Sequence, residues 1–449
     1  MAEQYRSVLP PGHSYGSITD RITATVLDFP TRRHYLAIFS LFLILTLLFI
    51  YGVWTVFEFG PGLMGVNIPV AWGYPITNVV WWIGIGHAGT LISAILLLLR
   101  QRWRTSINRF AEAMTLFAAG IAGFFPLLHL GRPWFAYWLV PYPSTMGAWP
   151  QWKSPLVWDA FAIGTYITVS LLFWYMGLVP DLASMRDRAR NRYLKVIYGV
   201  FALGWRGSAQ HWARYETVYL LLAALATPLV VSVHSIISLD FTITIIPGYH
   251  STIFPPYFVA GALFSGFCMV ITIAVPLRAM FALQDLITLR HFDVIGKVIL
   301  ASALVVAYGY FIEFFISWYS GSQFHRYMVI NRALGPYAPA FWIVMVCNVL
   351  LIHVLWFRKV RTTVWLMFVL SLVFNVSMWL ERYMIVFTSV HRDFMPSMWD
   401  TSFATHYDIL ILIGSLGLFF LLMVLLLRMV PALSIHELRQ LAKEKGQQR

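Results

Sequence analysis

With 449 residues, 59% hydrophobic, 17% aromatic and only 11% charged, and with a mean hydropathy of +0.71, this chain is too apolar to be a soluble domain. Its formal charge of +13 reads as membrane topology and contact with anionic lipid, so no nucleic-acid partner is needed to explain it. The two cysteines, Cys268 and Cys347, sit far apart in apolar runs, which excludes a disulfide framework or a thiolate cluster; any iron-sulfur centre then belongs to a partner.

The first 33 residues are polar and lack the short apolar core of a signal peptide, so they read as a cytoplasmic N-terminal segment ahead of a genuine span. Ten runs long enough to cross ~30 Å of hydrocarbon follow. They lie at 34–58, 75–99, 112–130, 156–178, 214–236, 255–279, 295–319, 337–357, 362–387 and 406–428, with a cytoplasmic tail at 429–449. Placing both termini in the cytoplasm puts 26 of the 32 basic residues inside and six outside, the six being Arg132, Lys153, Arg326, Arg332, Arg382 and Arg392. The inside basic runs read as a solvated face. Residues 181–204 suit a helix lying in the interface, and Ser434 and Glu437 ahead of Leu438 and Leu441 form a capping-box pattern for a short amphipathic helix.

The middle eight spans suggest two related groups of four, 75–236 and 255–387. Spans 2 and 6 each open at a proline and cross inward through small residues that permit close helix approach. Any eight alternating spans, however, give a similar layout. The expected fold is all-α and polytopic: ten transmembrane helices arranged as two four-helix bundles plus two flanking helices.

Ionisable side chains inside spans are expensive and by default functional. His129, Asp159, His234, Glu313, Glu381 and Arg382 fall in the outer half; His87 is central, while Glu216 and His353 lie inward. Three functions compete for them. Bis-histidine haem needs facing imidazoles at matching depth, which these histidines supply poorly. A proton-coupled transporter fits ten spans and a repeat, but its carboxylates belong at the midplane. A quinone site needs a flat apolar slot with an imidazole or carboxylate within reach of each hydroxyl, together with a way off for protons.

His129 and Asp159 suit the third function. The 25-residue outer loop from Gly131 to Pro155 lets spans 3 and 4 pack antiparallel with both residues at similar height, where Asp159 would orient and charge-stabilise an imidazolium at His129. Gly131 permits a tight helix exit and Pro133 stops the helix. His129 reads equally as an interfacial side chain reaching the headgroups. Trp134, Trp158 and Tyr257 are the aromatics expected to line a ring pocket, or simply to pack at the interface. His87, Glu216, His234, Glu313, His353, Glu381 and Arg382 form a candidate inward proton pathway, with Glu381-Arg382 as a structural pair being the competing reading.

"HLGRPW" at 129–134 resembles the signature ending the third helix in the NrfD/polysulfide reductase C family of quinone-interacting membrane subunits. "VWDAFAIGTY" at 157–166 and "MWLERYMIV" at 378–386 resemble the branch found in alternative complex III, the ActC-type subunits. This resemblance covers essentially the whole chain. It implies two four-helix bundles between two flanking helices, no haem or metal in this chain, and menaquinol (oxidised to menaquinone) as bound substrate near the periplasmic face, with the family's quinol-binding His and Asp falling on His129 and Asp159. It further implies a bacterial inner-membrane location in a respiratory or photosynthetic electron-transfer complex. The implied partners are an ActB-like iron-sulfur subunit, c-type cytochrome subunits, small membrane subunits and an ActF-like paralogue. A non-catalytic paralogue of that last kind, acting as scaffold or proton channel, is the competing identity.

Overall fold

The computed structural model describes residues 8–10, 12–28, 33–139 and 152–447; the expected N-terminal segment at 1–7, 11 and 29–32, the outer loop at 140–151 and the tail at 448–449 lie outside the described residues. Among the described residues the chain is helical and contains no strand. Ten helices are long and apolar enough to span a membrane: α2 (Arg33–Phe59), α3 (Gly73–Leu98), α4 (Asn108–Leu130), α5 (Pro155–Arg188), α7 (Ala209–Thr242), α8 (Phe254–Met280), α9 (Leu289–Tyr319), α11 (Ala338–Trp356), α12 (Val364–Val390) and α13 (His406–Leu426). Shorter helices among the described residues include α1 (Tyr15–Leu27), α6 (Arg192–Phe201), α10 (Gln323–Leu334) and α14 (Ile435–Gln447). The chain is a multi-pass membrane protein.

α3, α4, α5 and α7 pack on one another, as do α8, α9, α11 and α12, and the two groups meet where α3 lies against α8. In the most apolar stretch of each of these two central helices 83% of the residues are buried, against 22% for α2, so they form the spine of the molecule. Close approach depends on missing side chains: a Cβ on Gly266 would collide with the Cβ of Ala88. The first and last spans, α2 and α13, lie side by side on the first group rather than on opposite sides of the eight. Trp82 of α3 donates from Nε1 to Ser415 Oγ of α13 at 3.1 Å.

Two spans run well past the ends that hydropathy suggests, α5 to Arg188 instead of 178 and α7 to Thr242 instead of 236. Each extension carries an acid that faces a neighbouring helix, so the polar residue does not end the helix. For α5 this acid is Asp181, paired with Arg109 of α4 at 2.8 Å. The basic end of the molecule is consequently not all solvated: Arg104, Arg109 and Arg361 are buried, contrary to the reading of basic runs as an exposed face. Arg104 meets Glu437 of α14 at 3.0 Å and Arg361 meets Asp293 at 2.9 Å. α14 begins where the capping pattern places it, with Glu437 N donating to Ser434 Oγ at 3.4 Å.

Candidate functional site

At the end opposite that basic face, a cavity of about 460 Å³ opens between α3, α4, α5 and α7. Its walls are chiefly aliphatic, from Ile76, Val79, Val80, Ile163 and Ile167, with Trp72 and Phe241 set edge to face at 5.4 Å. Three ionisable side chains line it: His129, Asp159 and Asp240. An apolar slot with a few convergent polar groups is the usual form of a small-molecule site.

Local sequence makes this space. Pro126 inside α4 removes a backbone donor one turn before His129 and loosens the helix there. Gly123 and Gly164 line the cavity, and a Cβ on either would meet nothing within 4 Å. The α4 exit is fixed by Gly131, whose φ of 68° is left-handed and whose missing side chain leaves room for Pro61, 2.5 Å from where a Cβ would stand. His129 therefore faces the cavity from the last turn of a helix that ends at a fixed place.

The expected pairing is altered in one respect. His129 and Asp159 share the cavity, but no hydrogen bond joins them; the group that acts on the Asp159 carboxyl is instead the carboxyl of Asp240 of α7. An ionised carboxylate only accepts, so a hydrogen bond between two carboxyl groups exists only while one holds a proton. One oxygen of each acid, Oδ1, is buried without a partner. Asp240 falls outside the expected site because hydropathy ends span 5 at 236; the signal for it is the absence of Gly or Pro between His234 and Pro247, which lets the helix run on past the acid.

The aromatics expected around the ring pocket lie elsewhere. Trp134 is exposed, and Trp158, next to Asp159, turns outward and donates from Nε1 to the Trp152 carbonyl at 2.7 Å. Tyr257 is buried in the second group of helices, 5.6 Å from the Tyr310 ring. Trp72 and Phe241 occupy the wall instead. Adjacency in sequence does not fix which way a helical side chain faces: Asp240 and Phe241 both line the cavity, whereas Trp158 beside Asp159 turns away from it.

The candidate proton-pathway residues divide. His87 and His234 are fully buried with ring centroids 4.6 Å apart; His87 Nδ1 sits 2.5 Å from the Ile83 carbonyl, and neither ring nitrogen of His234 has a partner. Arg382 lies 4.3 Å over the Phe258 ring, which His234 approaches at 5.9 Å, and Glu381 is 3.7 Å from Arg382. Glu313 is held at 2.6 Å by Arg332, a residue expected in an outer loop but fully buried. Glu216 and His353 are on exposed faces, with His353 accepting from Trp356 Nε1 at 3.0 Å. The structure thus gathers His87, His234, Arg382 and Glu381 but does not bring Glu216 or His353 to them. Among the described residues no group of three or more His, Cys, Asp or Glu side chains is placed to hold a metal.

Residues 62–392 match the family described as polysulphide reductase, NrfD. The chain belongs to that family. Its members are membrane subunits of quinone-interacting oxidoreductases and work beside iron-sulfur subunits. The chain is also similar to a putative dimethyl sulfoxide reductase membrane subunit, of the C type, from Halobacterium salinarum, 25% identical over 248 residues. That match covers 54% of this chain and spans about half, 51%, of the relative. The NrfD match takes in the whole cavity, from Trp72 to Phe241, so the three ionisable residues lie in the part of the chain that defines the family.

Proposed function

We propose that this NrfD-family chain is the quinol-oxidising membrane subunit of an alternative complex III, of the ActC type, in a bacterial inner membrane, with menaquinol as substrate. The observation that carries the reading is the cavity itself: an aliphatic slot whose ionisable groups, His129, Asp159 and Asp240, come from three different helices. Oxidising a quinol removes two electrons and two protons, so each hydroxyl needs an acceptor as the electrons leave. His129 takes the proton of one hydroxyl on a neutral ring nitrogen. The Asp159–Asp240 pair takes the other, since two carboxyl groups sharing one proton keep capacity for a second. The aliphatic walls hold the ring system flat and exclude water, which strengthens each of those hydrogen bonds.

The electrons pass to an ActB-like iron-sulfur subunit docked on the periplasmic side and from there to c-type cytochrome subunits. Placing the His129 end outside agrees with the excess of Lys and Arg at the other end. His87 and His234 lie deeper on α3 and α7, which also wall the cavity, and this arrangement favours an inward branch of proton movement in addition to release outside. An ActF-like scaffold has no need of three ionisable groups around an apolar slot, and a transporter of polar solutes has no need of an aliphatic one.

The test is quinol oxidation by the purified complex carrying Asp159→Asn or His129→Gln. Each substitution is expected to lower turnover by roughly 10²–10⁴-fold, the usual worth of a positioned acid or base. Wild-type turnover in either assembled variant would sink the assignment.

A further inference from the structure

The basic end of the molecule has a second concave site, separate from the cavity around His129. It has a volume of about 470 Å³ and is formed between the loop that follows α3 and the C-terminal helix α14. Arg100, Arg102, Arg104, Thr105, Glu437 and Gln440 line it. The single carboxylate stands against Arg104: Glu437 Oε2 lies 3.0 Å from Arg104 Nη2, an ion pair in which Oε2 accepts no hydrogen bond, and Tyr219 donates to Glu437 Oε1 at 3.5 Å. Arg104 is 5% exposed, and its second terminal nitrogen, Nη1, is buried without a hydrogen-bond partner. Burial alone would lower the Arg104 guanidinium, but Glu437, Tyr219 and Glu112 together more than offset it and hold the group above its ordinary value, so it stays charged. Arg100 and Arg102 are exposed at the rim.

Location distinguishes the ligand. The pocket begins at Leu97, in the last turn of a membrane-spanning helix, and the adjoining Leu98 and Leu99 are exposed at 40% and 61%. A helix end of this kind stands at the level of lipid phosphates, with the two leucines positioned for an acyl chain. Guanidinium groups match phosphate oxygens in a planar, bidentate manner. Basic pockets at this depth are a recurrent mode of lipid headgroup recognition.

We infer that this pocket binds the phosphate headgroup of an anionic phospholipid, which bridges Arg100 and Arg102 of the loop to the Arg104–Glu437 contact and so fastens α14 to the helix bundle. The site does not depend on the quinol reading.

The test uses the full chain purified in detergent, stripped of lipid and then given phosphatidylglycerol, phosphatidylcholine or inorganic phosphate, with native mass spectrometry counting retained lipid and thermal unfolding reporting stability. Phosphatidylglycerol is expected to be retained and to raise the melting temperature, while phosphatidylcholine does neither. R100Q/R102Q is expected to weaken phosphatidylglycerol retention about twenty-five-fold, taking about fivefold for each arginine. R100K/R102K, which keeps both charges, is expected to retain most of it, showing that any loss in the glutamine variant is not misfolding. Equal retention of the two lipids, or unchanged phosphatidylglycerol binding in R100Q/R102Q, would overturn the inference. If inorganic phosphate protects as well as the lipid does, the ligand is a soluble phosphate, and the lipid assignment fails.

Discussion

Asp159 of α5 and Asp240 of α7 line one cavity as neighbouring acids that act on each other, with His129 of α4 on the same wall system. The geometry replaces an expected imidazole–carboxylate couple with an imidazole and an acid pair. It gives Asp240 a role that the residues of spans 3 and 4 alone did not suggest.

Asp240→Asn keeps size and a hydrogen-bond donor for Asp159 but removes the second proton acceptor. Turnover at saturating quinol is expected to fall by about tenfold to a thousandfold with normal assembly, general-base losses being of that order. Unchanged kcat would leave Asp240 as a packing residue.

Gly164 faces open cavity, so Gly164→Leu should fill the slot without colliding with the backbone of a neighbour. A glycine in a helix interior is itself unfavourable by roughly 0.5–1 kcal/mol, so the variant is expected to melt no lower than wild type while losing quinol binding. Loss of binding together with a lower melting temperature would mean that the side chain disrupts packing instead of occupying the site.

Arg332 is fully buried and holds Glu313 at 2.6 Å, while donating to Thr388 Oγ1 at 3.0 Å and to the Gly248 carbonyl at 3.3 Å. Arg332→Met leaves Glu313 as an uncompensated buried acid, a change that typically costs about 3–5 kcal/mol. Thermal unfolding should show the loss, and adding Glu313→Gln should restore part of it. A relay role for Glu313 adds a separate signature, an altered proton yield per quinol in the paired variant, whereas a purely structural pair leaves that yield unchanged.

His436, on α14, stacks on Trp212 at 4.1 Å. Burial pushes its imidazole down from the ordinary 6.5 to about 4, with Glu437 opposing and Arg439 and Arg109 reinforcing the shift. A folded value below the unfolded one means that protons favour undocking, so docking of α14 is at full strength above pH 6.5 and weakens as pH falls towards 4. The loss amounts to roughly 2–3 kcal/mol across that window. Protection factors of residues 435–447, corrected for the intrinsic pH dependence of amide exchange, should fall between pH 6.5 and 4 in wild type and stay level in His436→Phe.

At the spine, Gly266→Val places a side chain where a Cβ alone already collides with Ala88 and stands 3.0 Å from the Ile85 carbonyl. Overpacking of this kind costs typically about 1–3 kcal/mol. The expected result is a lower melting temperature with both groups of helices parting at α3 and α8, read by crosslinking between those helices; an unchanged melting temperature would show that the helices are free to separate.

Much is legible in the letters because a bilayer imposes a simple rule: every span must be long, apolar and helical, so composition and run length alone define ten spans and the all-α class. The 129–134 motif also marks His129, since glycine followed by proline fixes where that helix ends. Asp240 is hidden for the reason that Asp181 is. In both cases the apolar run ends a few residues ahead of the acid, whereas the helix continues because a neighbouring helix faces the acid. The aromatic wall is not legible because Trp72 precedes its span and Trp158 sits beside Asp159 in sequence, and neither fact says which way a side chain faces.

From the letters alone it follows that this is a ten-span membrane protein with ionisable groups buried at a cost that function must justify. Packing in three dimensions chose which of those groups meet: Asp159 with Asp240, His87 with His234, Glu313 with Arg332, while Glu216 and His353 remain apart. The physical reason is that burial in lipid constrains each helix separately, through its own length and hydropathy. Pairing depends on the rotation and depth of one helix against another, which are set by small-residue contacts such as Gly266 on Ala88 that no single span encodes.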